Sequence, residues 1–467
     1  MENQSAVLRF RKLIILSASA LLLALPLAAQ TQHPLSAADR AALSRALDAQ
    51  DQGHPEVAEP ALRDLARRNP SSFEVLESLG VLYAEGNRFD SALPLLKKAA
   101  TLQPGSAIAQ ANLGAALLKL NRNPEALHAL ERASALDPAN THTQSDLAQA
   151  LMLNHDPRAA AKAFARASAG KFDDPDLIYN WALASFESGD AAQAAALMAK
   201  LADAPSSAPD QELLGDIAEQ QHDYKNAVEH YKLAVQLDPS EPNLYVLGVE
   251  LLRHWTFAEA IKIFEYGVSK YPQSRRMEVG LGIAHYSAND YARATPIFSR
   301  LLDADPDNAF YADMLGHMCA LLPNGSGDCG KLVAFAERHP KNAPAAAYAA
   351  ASILHSPSGS ENLKQVRSLL DQSLAADPRL PEASYLLGML DQQEGKWAES
   401  IPPLQKAIAL KPDFAKAHYR LGLAWSHTGK RELAQQEIAL EQKYSKQETD
   451  DLNARFKKVT TFLITQK

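Results

Sequence analysis

A fixed interval between a Leu-Gly pair and a later proline constrains this chain more than any other feature. The whole segment recurs roughly every 34 residues, and the step from glycine to proline has the same length in seven segments. The seven pairs are Gly80–Pro104, Gly114–Pro138, Gly215–Pro239, Gly248–Pro272, Gly282–Pro306, Gly316–Pro340 and Gly388–Pro412. A constant period of this kind indicates a stack of one supersecondary unit and not a single globular core.

The spacing within each segment predicts two antiparallel helices joined by a short turn. An alanine and then a large apolar residue follow the glycine at constant offsets, as Ala92 and Leu96 follow Gly80. These are helical spacings on the two sides of a polar break such as residues 85–88. Small side chains let the helices approach closely, and the proline ends one unit and opens the next. We therefore predict an all-α protein.

This pattern resembles the tetratricopeptide repeat. The family's Leu-Gly, Tyr, Ala, large apolar, Ala and Pro positions are occupied in one unit by Leu79, Gly80, Tyr83, Ala92, Leu96, Ala99 and Pro104. The resemblance implies an α-solenoid, that is, a right-handed superhelix of antiparallel helix pairs. About 12 repeats fill residues 36–446, which leaves no segment for a catalytic domain. We therefore expect a protein that is not an enzyme and uses no cofactor.

Residues 1–29 have the composition of a secretory signal peptide. Arg9, Arg11 and Lys12 precede an apolar run at residues 13–25, and small residues follow up to Ala29, where we expect cleavage. The run is short for a bilayer span of about 20 residues, yet an uncleaved membrane anchor is the alternative. Export would place the protein in the periplasm or elsewhere outside the cytoplasm.

The two ends of the predicted solenoid are a linker at residues 30–35 and a C-terminal segment at 447–467. Apolar residues recur at helical spacing in that last segment, from Leu452 to Leu463. We expect a capping helix, because the open end of a repeat stack needs a polar cover. The alternative is a helix that binds a partner.

The charge of the chain argues against nucleic acid as a partner. The formal net charge is −8, and loss of residues 1–29 removes three cationic side chains and one anionic, which makes it −10. No cluster of Lys and Arg offers a phosphate-binding surface. We expect contact with a membrane only through an uncleaved N-terminal segment or a partner complex.

The two cysteines, Cys319 and Cys329, lie on either side of one predicted inter-helix turn. In a helical hairpin those positions face each other, and export would permit a disulfide. We predict a bond between them, the alternative being two buried thiols.

No group of residues predicts a catalytic or metal site. Asp303, Asp305 and Asp307 alternate like the start of a calcium loop, but such a loop needs Gly at its sixth position and Glu at its twelfth. Those positions hold Asn308 and Met314. The segment is better interpreted as a turn between repeats.

The resemblance places ligands of such proteins on the concave surface lined by the first helix of each pair. Eleven residues at or near those positions are our candidates for a peptide-binding groove: Asn112, Asp146, Tyr179, Asn180, Phe186, Tyr245, Tyr286, Phe310, Tyr385, Tyr419 and Arg420. Tyr provides rigid contact area with a polar tip, and Asn can bond a ligand backbone. The alternative is that these aromatic residues pack between repeats.

The predicted function is a scaffold of the bacterial cell envelope that binds partner proteins or peptides along this groove. Alternatives are an accessory subunit of an envelope assembly, secretion, pilus or polysaccharide-export machine, and a regulator of a cell-wall or glycan enzyme. Family members that hold an acidic C-terminus use Lys, Asn and Arg in the groove. This chain has Glu77, Val81, Ala111 and Ala115 at such positions, so it lacks that clamp.

Overall fold

A computed structural model describes residues 35–168, 174–202, 206–321, 327–355 and 362–465. Those residues form 24 α-helices and no β-strand. The helices alternate in chain order as the first and second helices of the predicted repeats. The predicted signal peptide at 1–29 lies outside the described residues.

The chain divides into two compact units, residues 1–223 and 224–467. The helices of unit 1 are α1 Ala37–Asp51, α2 Pro55–Arg68, α3 Phe73–Glu85, α4 Phe89–Leu102, α5 Ala107–Lys119, α6 Asn123–Leu136, α7 Thr141–Leu153, α8 Pro157–Ala167, α9 Pro175–Glu187, α10 Ala191–Met198 and α11 Ala208–Gln220.

The helices of unit 2 are α12 Tyr224–Leu237, α13 Glu241–Arg253, α14 Phe257–Lys270, α15 Arg275–Ser287, α16 Tyr291–Ala304, α17 Ala309–Leu321, α18 Lys331–Arg338, α19 Ala343–Leu354, α20 Leu363–Ala376, α21 Pro381–Gln393, α22 Ile401–Leu410, α23 Ala415–His427 and α24 Arg431–Thr465. The boundary between the units falls in the turn of the sixth predicted repeat.

Within each unit a second helix packs against the first helix of its own repeat and against the first helix of the next. Thus α4 contacts α3 and α5, and α14 contacts α13 and α15. First helices of successive repeats also touch, as α3 and α5 do in unit 1, and α13 and α15 in unit 2. The first helices of each unit therefore lie side by side in one layer, which we call the first-helix face.

The turn between the two helices of a repeat has one conformation in ten repeats. A residue with positive φ follows the first helix, and the next amide reaches back to an earlier carbonyl, as Arg88 N donates to Tyr83 O at 2.8 Å. This is the Schellman arrangement, which satisfies carbonyls that the helix end leaves free. The positive-φ residues are Gly53, Asn87, Asn121, His155, Gly189, His222, Trp255, Asn289, Gly395 and Gly429.

In at least five repeats the glycine of the Leu-Gly pair packs against the large apolar residue on the second helix of the same repeat; these glycines are Gly80, Gly114, Gly248, Gly282 and Gly388. A Cβ added at Gly80 would lie 2.7 Å from the Leu96 side chain, and one at Gly248 would lie 2.6 Å from the Phe264 ring. Leu96 and Phe264 are fully buried. The predicted close approach is therefore present, and side chains of the second helix fill the space that glycine leaves.

The ninth repeat departs from this rule. Its second helix begins with a 3₁₀ turn at Gly327–Gly330 and continues in the short α18. Gly316 there faces Tyr348 of the next first helix, and a Cβ at Gly316 would overlap that ring. The turn predicted around 322–326 lies outside the described residues.

The last helix runs unbroken from Arg431 to Thr465. The helix therefore continues across residue 447, where we predicted the start of the capping segment, and that boundary stays a prediction. No glycine or proline interrupts the sequence between these ends, so nothing stops the helix. The side chains from residue 451 onward lie outside the description, and the capping role stays a prediction.

None of the helices in the described part of the chain is both long and apolar enough to span a membrane.

Candidate functional site

The first-helix face of unit 1 carries a row of polar residues. Asn112, Asp146 and Asn180 occupy the same position in successive repeats, with Glu77 one position earlier in the repeat before them. All four residues are buried, and none has more than 4% of its surface accessible. Amide and carboxyl groups at these positions are thus enclosed by protein.

This burial shows that our prediction of an accessible groove position was wrong for four residues. Asn112, Asp146, Tyr179 and Asn180 lie in the interior of unit 1 and not at an accessible surface. The reason is the close packing of successive first helices, as of α5 on α7. Phe186 is half-buried and packs against the same apolar cluster as Tyr179.

Two carboxyl groups in this row have strongly raised pKa values. Burial raises the pKa of Glu77 to about 7, although a hydrogen bond from Asn112 opposes the rise. The Asn112 Nδ2 donates to Glu77 Oε1 at 2.6 Å. Burial likewise raises the pKa of Asp146 to about 8, against the opposing charge of Lys119. The low polarity around both groups disfavours their charged forms.

The first-helix face of unit 2 has a different character, because it carries accessible aromatic residues. Phe310 and Tyr419 are exposed, with 47% and 46% of their surface accessible. Tyr245, Tyr286 and Tyr385 are half-buried. The structure therefore keeps all five predicted aromatic residues of unit 2 at least partly accessible.

Neighbouring side chains hold several of these rings in place. The Arg276 guanidinium lies 5.2 Å from the centre of the Tyr245 ring, and the Phe414 ring lies 5.0 Å from that of Tyr385. Arg420, the remaining predicted residue, is half-buried and donates a long hydrogen bond of 3.5 Å to Gln392 Oε1. Rings fixed in this way lose little freedom when a ligand arrives.

Sequence reasoning missed Tyr348 on this face. Tyr348 OH lies 2.9 Å from His317 Nε2, and that nitrogen is 3.8 Å from Asp313 Oδ2. Burial raises the pKa of Tyr348, and the negative charges of Asp313 and Glu382 raise it further. Tyr348 lies in an alanine-rich repeat without the Leu-Gly pair, so the repeat pattern did not single it out.

A cavity of about 300 Å³ lies beside this group, between the starts of α17 and α19. Its lining consists of Ala309, Phe310, Asp313, Asn342, Pro344 and Ala345. Four of these six residues are apolar, and the carboxylate of Asp313 is the charged group among them.

The two cysteines are bonded to each other in the structure. Their Cα atoms lie 5.8 Å apart, and both side chains are buried. Cys319 lies on α17 and Cys329 lies in the 3₁₀ turn that precedes α18. The bond thus joins the two helices of the ninth repeat.

Two of the three alternating aspartates of the interrupted calcium pattern form ion pairs. Asp303 pairs with Lys331 at 2.7 Å, and Asp307 pairs with Arg338 at 3.4 Å and His339 at 3.0 Å. The first contact joins the second helices α16 and α18, and the contacts of Asp307 join the turn after α16 to the end of α18, in accordance with the interpretation of the segment as a turn between repeats.

The alternating helix pairs and the single layer of first helices define this chain as an α-helical repeat protein. A tetratricopeptide repeat model matches residues 43–107, 111–175, 179–242 and 245–309, a second matches 82–138, and a TPR repeat model matches 390–429. The chain belongs to the tetratricopeptide repeat family. It is accordingly a protein-interaction scaffold, of a family whose members bind proteins or peptides.

Three solved structures illustrate which proteins this chain is similar to. The Naa15/Naa10 complex bound to HypK-THB aligns with 14% identity and a TM-score of 0.35, covering 86% of this chain and 68% of that one. Pseudomonas aeruginosa PilF aligns with 20% identity and a TM-score of 0.37, covering 44% and 94%. YrrB, described as a TPR protein with an unusual peptide-binding site, aligns with 18% identity and a TM-score of 0.37, covering 39% of this chain and 95% of that one. No curated protein matches the sequence.

Proposed function

We propose that the first-helix face of unit 2 binds extended segments of partner proteins and that the protein is a non-catalytic scaffold. The observation that carries this proposal is the set of accessible aromatic residues on one face, contributed by five different repeats. Tyr245, Tyr286, Phe310, Tyr385 and Tyr419 all lie on first helices. Aromatic side chains supply large contact areas at low entropic cost, and they dominate the binding energy of many interfaces.

We further propose that the scaffold works outside the cytoplasm, in a bacterial cell envelope. The basic, apolar and small-residue order of residues 1–29 supports export. The bond between Cys319 and Cys329 supports it independently, because disulfides persist in oxidising compartments and are rare in the cytosol. An accessory subunit of an envelope machine is one form that such a scaffold could take.

The binding surface can be tested with a double substitution and a matched control. Random dodecapeptides, displayed on phage, are selected against the purified protein and their affinities measured. We expect Phe310→Ala with Tyr419→Ala to weaken binding about tenfold or more, because both rings are exposed on the proposed face. Tyr266→Ala is the control, since Tyr266 is equally exposed at 49% but lies on the second helix α14.

Two outcomes would contradict the proposal for this face. One is undiminished binding of the selected peptides to the double variant. The other is an equal loss of affinity in the Tyr266→Ala control, which would show that the peptides contact the second helices.

Export is tested by the mass of the protein purified from bacterial cells. We expect a chain that begins at Gln30 and that contains no free thiol until a reductant is added. Retention of residues 1–29 would favour the uncleaved anchor, and two alkylated cysteines in the unreduced, denatured protein would contradict the disulfide.

A further inference from the structure

The cavity between α17 and α19 is lined by apolar residues and one carboxylate. Phe310, Pro344 and Ala345 form apolar walls, and Asp313 is the charged group among the lining residues. The volume of about 300 Å³ suits one long side chain and is too small for a folded element. We call this site the Asp313 pocket.

The charged residue that lines the pocket itself is negative, whereas Arg338, His339 and Lys341 line the adjoining cavity. The negative charges of Asp313 and Glu382 both raise the pKa of Tyr348, and Glu382 also lies 3.9 Å from the Lys411 ammonium group. Within the part of the chain that the structure describes, the basic group within 4 Å of Asp313 is His317, at a long 3.8 Å. The side chain of Asp313 keeps 47% of its surface accessible.

These features favour a cationic occupant over a neutral one. An apolar side chain in the pocket would remove water from the Asp313 carboxylate without replacing its hydrogen bonds, which is costly. Lys and Arg have an apolar stem and a charged end, so the stem can cover apolar walls while the end meets a carboxylate. A cation near the face of an aromatic ring gains further attraction.

We infer that the Asp313 pocket binds a Lys or Arg side chain of a bound peptide, with its stem against Phe310 and Pro344 and its charge at Asp313. This inference rests on the proposed function, since the pocket lies on the same first-helix face of unit 2. It adds a specificity that the aromatic residues alone do not provide.

The test uses small probes that differ only in charge. N-acetyl-arginine amide and the isosteric, neutral N-acetyl-citrulline amide are titrated into the full protein, and the ring NMR signals of His317 and Tyr348 are followed. We expect the arginine probe to bind at least tenfold more tightly than the citrulline probe. Asp313→Asn should abolish that difference, whereas Asp371→Asn, at an exposed position on the second helix α20, should preserve it.

Equal affinity for the two probes, or an equal effect of the two substitutions, would overturn the inference. A melting curve for each variant by circular dichroism verifies that it is folded. The outcomes are separable from those of the proposed function. Selected peptides that need Phe310 and Tyr419 but show no charge preference would sink this inference alone. Arginine binding at the pocket, with peptides indifferent to the face, would contradict the proposed function and leave the pocket as a site for a single cationic group.

Discussion

Single residues set the turns that let this chain reverse direction within each repeat. Six of the ten positive-φ turn positions hold a residue other than glycine, including His155, His222 and Trp255. In that region the side chain of an L-residue crowds its own backbone, and asparagine tolerates this better than larger residues do. The turns at His155, His222 and Trp255 are therefore the most strained of the ten.

Replacing His155 by glycine should stabilise unit 1. His155 is exposed and has a φ of 62°, so the change relieves backbone strain and removes little contact. The gain is partly offset by the greater freedom of glycine in the unfolded chain, and we expect a net increase of about 0.5–1 kcal/mol in the free energy of unfolding. Denaturant unfolding measures it, with Asn121→Gly as a control that should gain less. A loss of stability in His155→Gly would show that the imidazole makes a contact that outweighs the strain.

Burial of Asp146 makes the stability of unit 1 depend on pH. Its pKa is 3.8 in the reference state and about 8 in the folded protein, so between these values the unfolded chain releases a proton that the folded chain retains. The contribution of Asp146 is therefore fully present below pH 4 and is lost as the pH rises towards 8.

We expect Asp146→Asn to flatten this dependence and to raise the unfolding free energy at pH 8 by about 2–4 kcal/mol relative to the original protein. At pH 4 the two proteins should differ little. Thermal unfolding at a series of pH values measures the effect, with Asp48→Asn, at an exposed position on α1, as the control. Parallel pH profiles for Asp146→Asn and the original protein would refute the prediction.

At the scale of an element, the contact between a first-helix glycine and a large side chain of the second helix decides how closely a helix pair packs. Gly248 and Phe264 are one such pair, since the ring lies 2.6 Å from where a Cβ on Gly248 would be. A Cβ on Gly280 in the next repeat would overlap the same ring. One buried ring thus depends on two glycines from successive first helices.

Gly248→Ala should overpack this contact and lower the unfolding free energy by about 1–3 kcal/mol. Shortening the ring in the double variant Gly248→Ala, Phe264→Leu should recover part of the loss, because leucine leaves room for the new methyl group. The interaction energy from the double-mutant cycle is the measurement. Additive losses in the two single variants would mean that the ring and the glycine do not compete for the same space.

At the scale of the whole molecule, the two compact units should respond to damage separately. Each helix contacts its neighbours in the repeat order, so its packing depends mainly on the repeats beside it. A defect in the seventh repeat should therefore remain in unit 2.

Hydrogen exchange followed by mass spectrometry can test this locality. In Gly248→Ala we expect faster exchange in α13, α14 and α15, and unchanged exchange in α1 to α8 of unit 1. An equal increase along the entire chain would show that the repeats unfold as one cooperative body.

The sequence alone determined the parts of this protein that depend on local spacing. Its constant period predicted the helix pairs, the Leu-Gly positions located the close contacts with Leu96 and Phe264, and the hairpin register placed Cys319 opposite Cys329. These properties follow from residues at fixed short separations, which a repeat pattern records directly.

Only the tertiary structure decided which inner residues are accessible and what they face. Asn112 and Tyr419 both lie on first helices, yet one is enclosed and the other open, because accessibility depends on how neighbouring repeats pack. Tyr348 meets His317 of the preceding repeat, although the pattern of its own repeat had drifted. Such pairings arise from the packing of one repeat on the next, and no spacing within a single repeat specifies them.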